Sequence, residues 1–271
     1  MYIVFDIGAT NIRFARVLSS EKIDEPIIEP NPQRYDKSIE LIKDVISRIS
    51  GGEKIEGMVG GIAGVLSSDR TFVYNSPNLP DWNNKPLVKD LEKISGAPVV
   101  LYNDAELTAL GEAVYGAGRG SKTCAYMTIS TGIGGALVVD GEVLKTHLNV
   151  EPGHHIIDYK NNISLHQLIS GREIEKEYGE KAKNIDDPIL WDRVETIFAV
   201  GLHNAIVFWS PDTFVLGGGI MKDLDIPDLE NILNRRMSIY AELPRFVRAE
   251  LGSFNGLYGG LAHVKKHFLD K

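Results

Sequence analysis

Two short segments constrain the fold of this chain most, because each leads an apolar strand into a glycine- and threonine-containing turn and out into another apolar strand. They span residues 4–11 (VFDIGATN) and 129–136 (ISTGIGGA). A turn of this kind can direct several backbone N–H groups at one phosphate. Two such turns, the first of them with an acid at its mouth, indicate a nucleotide held between two related lobes.

The apolar periodicity of the chain alternates between that of strands and that of helices. In the first half we predict strands at 2–7, 12–18, 55–65 and 99–102, and helices at 36–50, 87–95 and 105–116. In the second half we predict strands at 123–130, 136–139 and 213–216, and helices at 165–178, 189–209 and 257–268. A hairpin followed by helices and strands thus occurs twice, which predicts a duplicated α/β architecture.

Composition narrows the class of protein. The chain has 271 residues, 43% of them hydrophobic, which suffices for one large domain or two modest ones. Its net charge of −8 argues against a general nucleic-acid binder. The one cysteine, Cys124, excludes a disulfide within the chain and is expected in the core. Because we find neither a signal peptide nor a membrane-spanning run, we expect a cytoplasmic protein without membrane contact.

The first turn offers groups suited to a complex of magnesium and a nucleotide. Asp6 ends its strand, where a carboxylate can hold Mg²⁺ directly or through water. Gly8 allows the backbone to approach a ligand closely, and Thr10 and Asn11 offer side-chain hydrogen bonds. An ordinary hairpin turn without a ligand is the alternative for this motif taken alone.

A second candidate lies at Asn103 and Asp104, which follow one predicted strand and precede a predicted helix. A carboxylate in this position can accept a proton from an attacking hydroxyl. Asp104 can equally be the N-cap of the helix. The two roles are compatible, so both stay open.

Three further segments are candidates for ligand binding. The glycines at 217–219 follow a strand and let a flat ring or a phosphate lie against the backbone. The amide-rich loop at 75–84 suits a polyhydroxylated ligand, although most loops of this composition bind nothing. The segment at 151–155 (EPGHH) has a spacing that fits no zinc signature, so a polar substrate-binding turn is the better interpretation.

Taken in order, these motifs make the chain similar to the ROK family of sugar kinases, within the actin/hexokinase/Hsp70-like ATPase superfamily. Seven segments carry the resemblance over essentially the full length, namely 6–11, 76–82, 103–105, 130–135, 151–154, 215–219 and 251–260. The resemblance implies an α/β fold of two RNase H-like (actin-like ATPase) lobes with a cleft between them. One lobe would comprise 1–103 and 258–271, and the other 104–257.

The resemblance also implies the activity, which is ATP-dependent phosphorylation of a hexose or hexose-derivative hydroxyl, in particular the 6-hydroxyl. Asp104 would be the general base and Asp6 would position Mg²⁺. The residues implied to bind ATP are Gly8, Ala9, Thr10, Asn11, Thr131, Gly132, Gly218 and Gly219. The residues implied to bind the sugar are Gly64, Asn78, Asn103, Glu151, His154 and His166. A homodimer is implied as well.

The chain departs from the family pattern after residue 154. Residues 156–165 contain no cysteine, whereas most family members carry a cysteine cluster there that holds zinc, so we expect no structural zinc. By position, His166 stands where a second sugar-contacting Glu is usual. This exchange replaces an acceptor-only carboxylate with a titratable donor and acceptor, and therefore bears on which sugar is bound. Ala9 stands where a second glycine is usual.

Two other classes of function stay open. A non-catalytic sugar sensor would share the fold, but family repressors carry an amino-terminal helix-turn-helix domain, and this sequence opens directly on the phosphate-loop strand. We therefore expect no nucleic-acid partner. An ATPase of the Hsp70 or actin type would not be expected to carry the segments at 76–82 and 151–154.

Overall fold

The computed structural model describes residues 1–270 and contains two compact units. Unit 1 comprises Met1–Gly116, Gly141–Asn149 and Leu251–Lys271, and unit 2 comprises Ala117–Asp140 and Val150–Glu250. Within residues 1–270, no helix combines the length and the apolar character needed to cross a membrane.

The strands and helices have the following bounds. The strands are β1 (Tyr2–Ile7), β2 (Asn11–Ser19), β3 (Lys22–Ile23), β4 (Ile27–Pro30), β5 (Gly57–Ile62), β6 (Val65–Leu66), β7 (Val73–Asn75), β8 (Val99–Asn103), β9 (Thr123–Ile129), β10 (Ile133–Val139), β11 (Glu142–Val143), β12 (Ile156–Asp158), β13 (Ile163–Ser164), β14 (Thr213–Gly217) and β15 (Arg245–Arg248). The α-helices are α1 (Tyr35–Ser50), α2 (Leu87–Ser95), α3 (Asp104–Val114), α4 (Leu165–Ile169), α5 (Gly171–Tyr178), α6 (Pro188–Trp209), α7 (Ile226–Arg236) and α8 (Asn255–Val264).

The main sheet of unit 1 has the strand order β3-β2-β1-β5-β8, and β4 also pairs with β2. The hairpin β1–β2 is antiparallel, whereas β1–β5 and β5–β8 are parallel. Parallel strands are usually covered on both faces and therefore read as nearly continuous apolar runs. The sequences of β1 (YIVFDI) and β5 (GMVGGI) have this character, and every residue of β5 is buried.

Helices cover both faces of this sheet. Ile3, Phe5 and Ile7 belong to a core cluster that also contains residues of α1 and α2. Val4 belongs to a second cluster, with residues of α8. Successive side chains of a strand point to opposite faces, so this division follows directly from the sequence. Helix α8 also packs tightly on α3, because a β-carbon at Gly259 would lie 1.9 Å from the carbonyl oxygen of Leu107.

Unit 2 repeats the pattern of unit 1, with strands in the order β10-β9-β14-β15. The hairpin β9–β10 is antiparallel, and β9–β14 and β14–β15 are parallel. Met127 and Phe214 of the sheet share one core cluster with Val194, Phe198 and Leu202 of α6. The predicted duplicated α/β architecture is therefore confirmed, and Cys124 is a buried core residue as expected.

The structure differs from the predicted helices in two places. The helix expected at 165–178 is divided at Ser170, which is extended and whose side chain caps α5 by accepting the backbone N–H of Glu173. The helix expected at 257–268 ends as an α-helix at Val264 and continues as a π-helical turn over Lys265–Leu269. Helix α7 and strand β15 were not predicted.

The boundary between the two units also differs from the expected lobe boundary at 103/104. Helix α3 belongs to unit 1, as does the segment Gly141–Asn149. The physical reason is packing, because α3 lies against α8 and β5 of unit 1. Asp104 therefore belongs to the same unit as Asp6.

Candidate active site

Three strand ends of unit 1 meet at one edge of its sheet. Asp6 of β1 lies opposite Gly61 of β5, and Ile62 of β5 lies opposite Asn103 of β8. All three strands are parallel, so their carboxyl ends share this edge, which is where ligands bind in open α/β sheets. The structure thus brings Asp6, Asn103 and Asp104 to one edge of the sheet of unit 1.

Asp6 is paired with Arg13 across the hairpin. The two residues are opposite one another in the β1–β2 register, with Arg13 Nη1 3.3 Å from Asp6 Oδ2. Desolvation raises the pKa of Asp6, and the nearby guanidinium opposes this rise only in part. The Nε atom of Arg13 is buried and has no hydrogen-bond partner within residues 1–270. The pair therefore keeps hydrogen-bonding capacity for a ligand.

The turn after β1 is held from one side by the segment that follows β4. The carbonyl of Gly8 accepts a hydrogen bond from Asn31 Nδ2 at 2.7 Å, and that of Ala9 accepts one from Gln33 Nε2 at 3.3 Å. The carbonyl of Thr10 accepts the backbone N–H of Asn31 at 2.8 Å. These contacts fix the backbone of the turn, and fixed donors are what a preorganised phosphate site requires.

Asn103 is the N-cap of α3 and connects this helix to the segment that follows β5. Its Oδ1 accepts the backbone N–H groups of Ala105 and Glu106, and the side chain of Glu106 accepts the backbone N–H of Asn103, which completes a capping box. Its Nδ2 donates to the carbonyl of Gly64 at 2.8 Å. The N-cap role considered for Asp104 is therefore taken by Asn103, and Asp104 is the first residue of the helix.

The carboxyl of Asp104 has a strongly perturbed protonation equilibrium. Although the residue is exposed to solvent, desolvation by the surrounding protein and, to a smaller extent, the charge of Asp6 together raise its pKa to about 7. A hydrogen bond from the backbone N–H of Ala105, 2.9 Å from Oδ1, acts in the opposite direction. A carboxyl with such a pKa exchanges protons near neutral pH, which suits a general base.

The capping residue Glu106 is itself held by an ion pair. Arg70 donates two parallel hydrogen bonds to its carboxylate, at 2.7 and 2.9 Å. The side chain of Glu106 is only 3% exposed, so the guanidinium is its main compensation for burial. Arg70 thereby fixes the start of α3, immediately beside Asp104.

The amide-rich loop at 75–84 is anchored by two of its own residues. Asn83 Oδ1 accepts the backbone N–H of Ser76 at 2.8 Å. Trp82 is buried, and its indole N–H donates to the carbonyl of Gln33 at 2.9 Å. The indole is therefore a core anchor and not a ligand contact. Asn78, by contrast, is exposed and belongs to the loop that these contacts hold.

The corresponding turn of unit 2 lies against the start of α5. The carbonyls of Ser130 and Thr131 accept the backbone N–H groups of Gly171 and Arg172, at 2.7 and 3.2 Å. The turn closes on itself through a 2.8 Å hydrogen bond from the N–H of Ser130 to the carbonyl of Gly132. As in unit 1, the turn carbonyls are held by a neighbouring segment.

Two predicted sugar residues lie next to this turn. The rings of His154 and His166 are stacked, with centroids 5.4 Å apart and planes 12° apart. A β-carbon at Gly132 would lie 3.3 Å from His166 Cε1. Burial lowers the pKa of His166, and the neighbouring His154 adds to this effect, so His166 is neutral at physiological pH. Within unit 2 the predicted sugar and phosphate residues are thus adjacent.

A short 3₁₀ turn places Glu151 beside His154. Residues Pro152–His154 form this turn, and the N–H of His154 donates to the carbonyl of Glu151 at 3.0 Å. His154 is exposed and Glu151 is half-buried. Predicted sugar residues are therefore present in both units, in unit 1 (Gly64, Asn78, Asn103) and in unit 2 (Glu151, His154, His166).

The glycines after β14 lie beside the turn of unit 2. Gly218 has a φ of 95°, and a β-carbon there would lie 2.2 Å from the carbonyl oxygen of Ile129, at the end of β9. Only glycine fits this close approach. At Gly219, by contrast, nothing lies within 4 Å of the β-carbon position. The predicted adenosine and phosphate segments are thus neighbours in unit 2.

The donor chemistry at the edge of unit 1 fits Mg²⁺. Mg²⁺ in nucleotide sites is held by one or two carboxylates together with phosphate oxygens and waters, and Asp6 and Asp104 supply carboxylates close enough to interact electrostatically. Within residues 1–270, no group of three or more His, Cys, Asp or Glu side chains is placed to hold a metal ion. The expectation of no structural zinc stays a prediction.

Four residues of the site were missed in the sequence. Arg13 could have been found, because the residue opposite Asp6 follows from the hairpin register. Glu106 could also have been found, because it stands three residues after Asn103, as a capping box requires. Loops supply the other two residues, Arg70 and Asn31. No local sequence pattern pointed to Arg70, because its partner Glu106 lies 36 residues away in the chain.

The two units share the hairpin-and-crossover sheet and the glycine turns of the actin-like ATPase fold. The sequence profile of the ROK family matches residues 2–267, and the chain belongs to this family. A ROK hexokinase structure from Thermus thermophilus superposes with a TM-score of 0.84 at 27% identity, over 98% of this chain and 99% of that one.

Two relatives of similar identity carry the names of different sugar kinases. An N-acetyl-D-glucosamine kinase of Photobacterium profundum is 29% identical over 98% of this chain and 100% of its own length. A glucokinase of Thermotoga maritima is 27% identical over 96% of each chain. The resemblance to ROK sugar kinases is confirmed, whereas overall identity does not choose between these two sugars.

Proposed function

We propose that this ROK-family sugar kinase transfers the terminal phosphoryl group of ATP to the 6-hydroxyl of a hexose or hexose derivative, with Asp104 as the general base. The role of Asp104 rests on one observation. Its carboxyl has a pKa of about 7 and is fixed at the start of α3, close to Asp6. A general base is most effective when its pKa lies near the operating pH.

In the proposed reaction, Asp104 accepts the proton of the attacking hydroxyl while that oxygen bonds to the terminal phosphorus. The bond from phosphorus to the bridging oxygen breaks, and ADP leaves with the electron pair. The capping box around Asn103 fixes the base, and Arg70 fixes the capping box. Phosphoryl transfer depends mainly on such positioning and on charge stabilisation.

ATP binding is assigned to the two glycine turns and to the glycines after β14. In this assignment the backbones of 8–11 and of Thr131 and Gly132 bind phosphate oxygens, and Gly218 and Gly219 lie near adenosine. The support is that both turns have their carbonyls held by neighbouring segments. In addition, the backbone at Gly218 lies so close to the carbonyl of Ile129 that no side chain fits there.

Mg²⁺ bound with ATP would be held by Asp6, and it would supply positive charge against the charge of the phosphates. Arg13 lowers the pKa of Asp6 against the effect of desolvation. The pKa of Asp6 is nevertheless raised on balance, and a bound cation would favour its ionised form. The Nε of Arg13, which is buried without a partner within residues 1–270, is a further donor at this edge.

The sugar would be bound by Gly64, Asn78, Asn103, Glu151, His154 and His166. His166 is the residue that bears most on specificity, because it is neutral, stacked on His154 and placed where a carboxylate is usual in the family. A neutral imidazole can both donate and accept a hydrogen bond. We further propose that the enzyme is a cytoplasmic homodimer.

The proposal is tested by measuring ADP release from Mg-ATP with a panel of hexoses, amino sugars and ketoses, and by locating the phosphate on the product by ³¹P NMR. We expect at least one sugar to stimulate release well above background, with the phosphate on the 6-oxygen. If no sugar in the panel does so while one binds in calorimetry, the sensor function replaces the kinase.

A further inference from the structure

Unit 1 contains a cavity of about 400 Å³, and Arg70 is the one lining residue to which a role has already been given. Its walls come from β8, from α3, from the segment 141–146 and from the last turns around α8. This volume lies within the range of about 300–1,000 Å³ that is usual for small-molecule sites.

The cavity is basic, although the protein is acidic. Arg70, Lys145 and Lys266 line it, whereas Glu142, which pairs with Lys266 at 3.2 Å, is the one acid among its lining residues within 1–270. His263 and His267 also line it, and burial lowers the pKa of His263 to about 4, so this ring is neutral. The whole chain has a net charge of −8, so this concentration of cationic groups is local. Clustered Arg and Lys side chains in a concave site favour an anion, and a neutral imidazole can add a hydrogen bond.

The remaining walls suit an organic body attached to that anion. Val100, Leu101, Leu110, Val143 and Leu144 provide apolar surface. Tyr102 and His263 also line the cavity, with their rings 5.6 Å apart and a 2.9 Å hydrogen bond between the hydroxyl and Nδ1. Inorganic phosphate would leave this apolar and aromatic surface without contacts.

Arg70 connects the cavity to the N-cap of α3, which lies next to the proposed base. Arg70 lines the cavity and also forms the two hydrogen bonds to Glu106. Glu106 Oε2 in turn accepts the backbone N–H of Asn103 at 3.1 Å, and Asn103 immediately precedes Asp104. An anion bound at Arg70 would share its guanidinium and so weaken its hold on Glu106.

We propose that this cavity binds a small organic phosphate monoester, and that its occupation lowers turnover by loosening the N-cap of α3. The binding does not depend on the proposed kinase function, whereas the effect on turnover rests on it. A ligand acting through Asn103 and Asp104 is expected to lower kcat, and a product competing at the sugar site would instead raise KM.

Binding is tested by calorimetry on the full chain with glucose 6-phosphate and with 3-phosphoglycerate, one a sugar phosphate and one not. The variant is Lys266→Gln combined with His267→Gln, and the control is Lys43→Gln, an exposed lysine of α1 outside the cavity. We expect at least one probe to bind, the double variant to weaken binding at least tenfold, and the control to bind as the wild type does.

Turnover is measured with the same probes and variants. We expect the wild type to lose kcat in the presence of the bound probe, and the double variant to keep its uninhibited kcat and KM while losing the inhibition. Absence of binding by both probes, or equal binding by the double variant, overturns the site. Binding without any change in the kcat of an active enzyme overturns the coupling. If no sugar is phosphorylated, calorimetry still decides the site.

Discussion

At the scale of single residues, the site depends on a few charged groups whose partners decide their chemistry. Asp104 has a raised pKa because of its surroundings and Asp6, whereas Asp6 has an arginine beside it. Burial raises the pKa of both carboxyls, and the guanidinium opposes that effect at Asp6. This difference in partners distinguishes the proposed cation ligand from the proposed base.

The raised pKa of Asp104 predicts how the stability and the activity of the protein depend on pH. Because this pKa is raised to about 7 in the folded protein, the folded state binds the proton more tightly than the unfolded state and loses stability as pH rises towards 7. We expect Asp104→Asn to have a higher Tm than the wild type at pH 8, with the difference vanishing near pH 4. In the wild type, kcat/KM should fall below about pH 7.

Asp69 provides a control of opposite sign for this prediction. Hydrogen bonds from Ser67 and Thr71 lower the pKa of Asp69, so its charge adds stability above its ordinary pKa and this is lost as pH falls. Asp69→Asn should therefore have a slightly lower Tm than the wild type at pH 8. A Tm of Asp104→Asn that stays below the wild-type value at pH 8 would contradict the raised pKa.

The ion pair of Arg70 and Glu106 makes a second prediction at this scale. Arg70→Met leaves the Glu106 carboxylate buried without its cation, which we expect to cost about 3 kcal/mol of unfolding free energy. Adding Glu106→Gln should recover part of that loss, since the buried charge is then gone. Urea unfolding of the two single variants and the double variant measures the coupling. Additive losses would show that the pair is not coupled.

At the scale of elements, most strands and helices of the site could be predicted from the sequence. Helix α2 has the predicted bounds, 87–95, and β8 extends the prediction by one residue to Asn103. Local periodicity sufficed there because each element buries one regular apolar pattern. Helix α7 was missed although Leu229 and Leu233 have helical spacing. The division at Ser170 was missed because one side-chain cap decides it.

The glycines after β14 allow a matched test at the scale of elements. Gly218→Ala would place a methyl group 2.2 Å from the carbonyl oxygen of Ile129, at a φ that side chains rarely adopt, whereas Gly219→Ala meets nothing within 4 Å. We expect Gly218→Ala to lower the unfolding free energy by about 2 kcal/mol or more, and Gly219→Ala to change it by less than about 0.5 kcal/mol. Equal effects in chemical denaturation would disprove the close approach.

At the scale of the whole molecule, the sequence predicted the α/β fold and its duplication, but not the extent of each unit. Residues 104–116 and 141–149 belong to unit 1 because of packing with distant residues such as those of α8. Such long-range contacts leave no periodic signal. For the same reason Arg70 and Asn31 could not be assigned to the site in advance, whereas Asp6 and Asp104 could be found from strand ends alone.

The most direct test of the central claim compares Asp104→Asn with the wild type on the sugar that gives the highest activity. We expect kcat to fall by at least about a thousandfold, because the attacking hydroxyl loses its proton acceptor, and we expect calorimetry to show sugar binding within a few-fold of the wild type. A variant that keeps its kcat would contradict the assignment of Asp104 as the base.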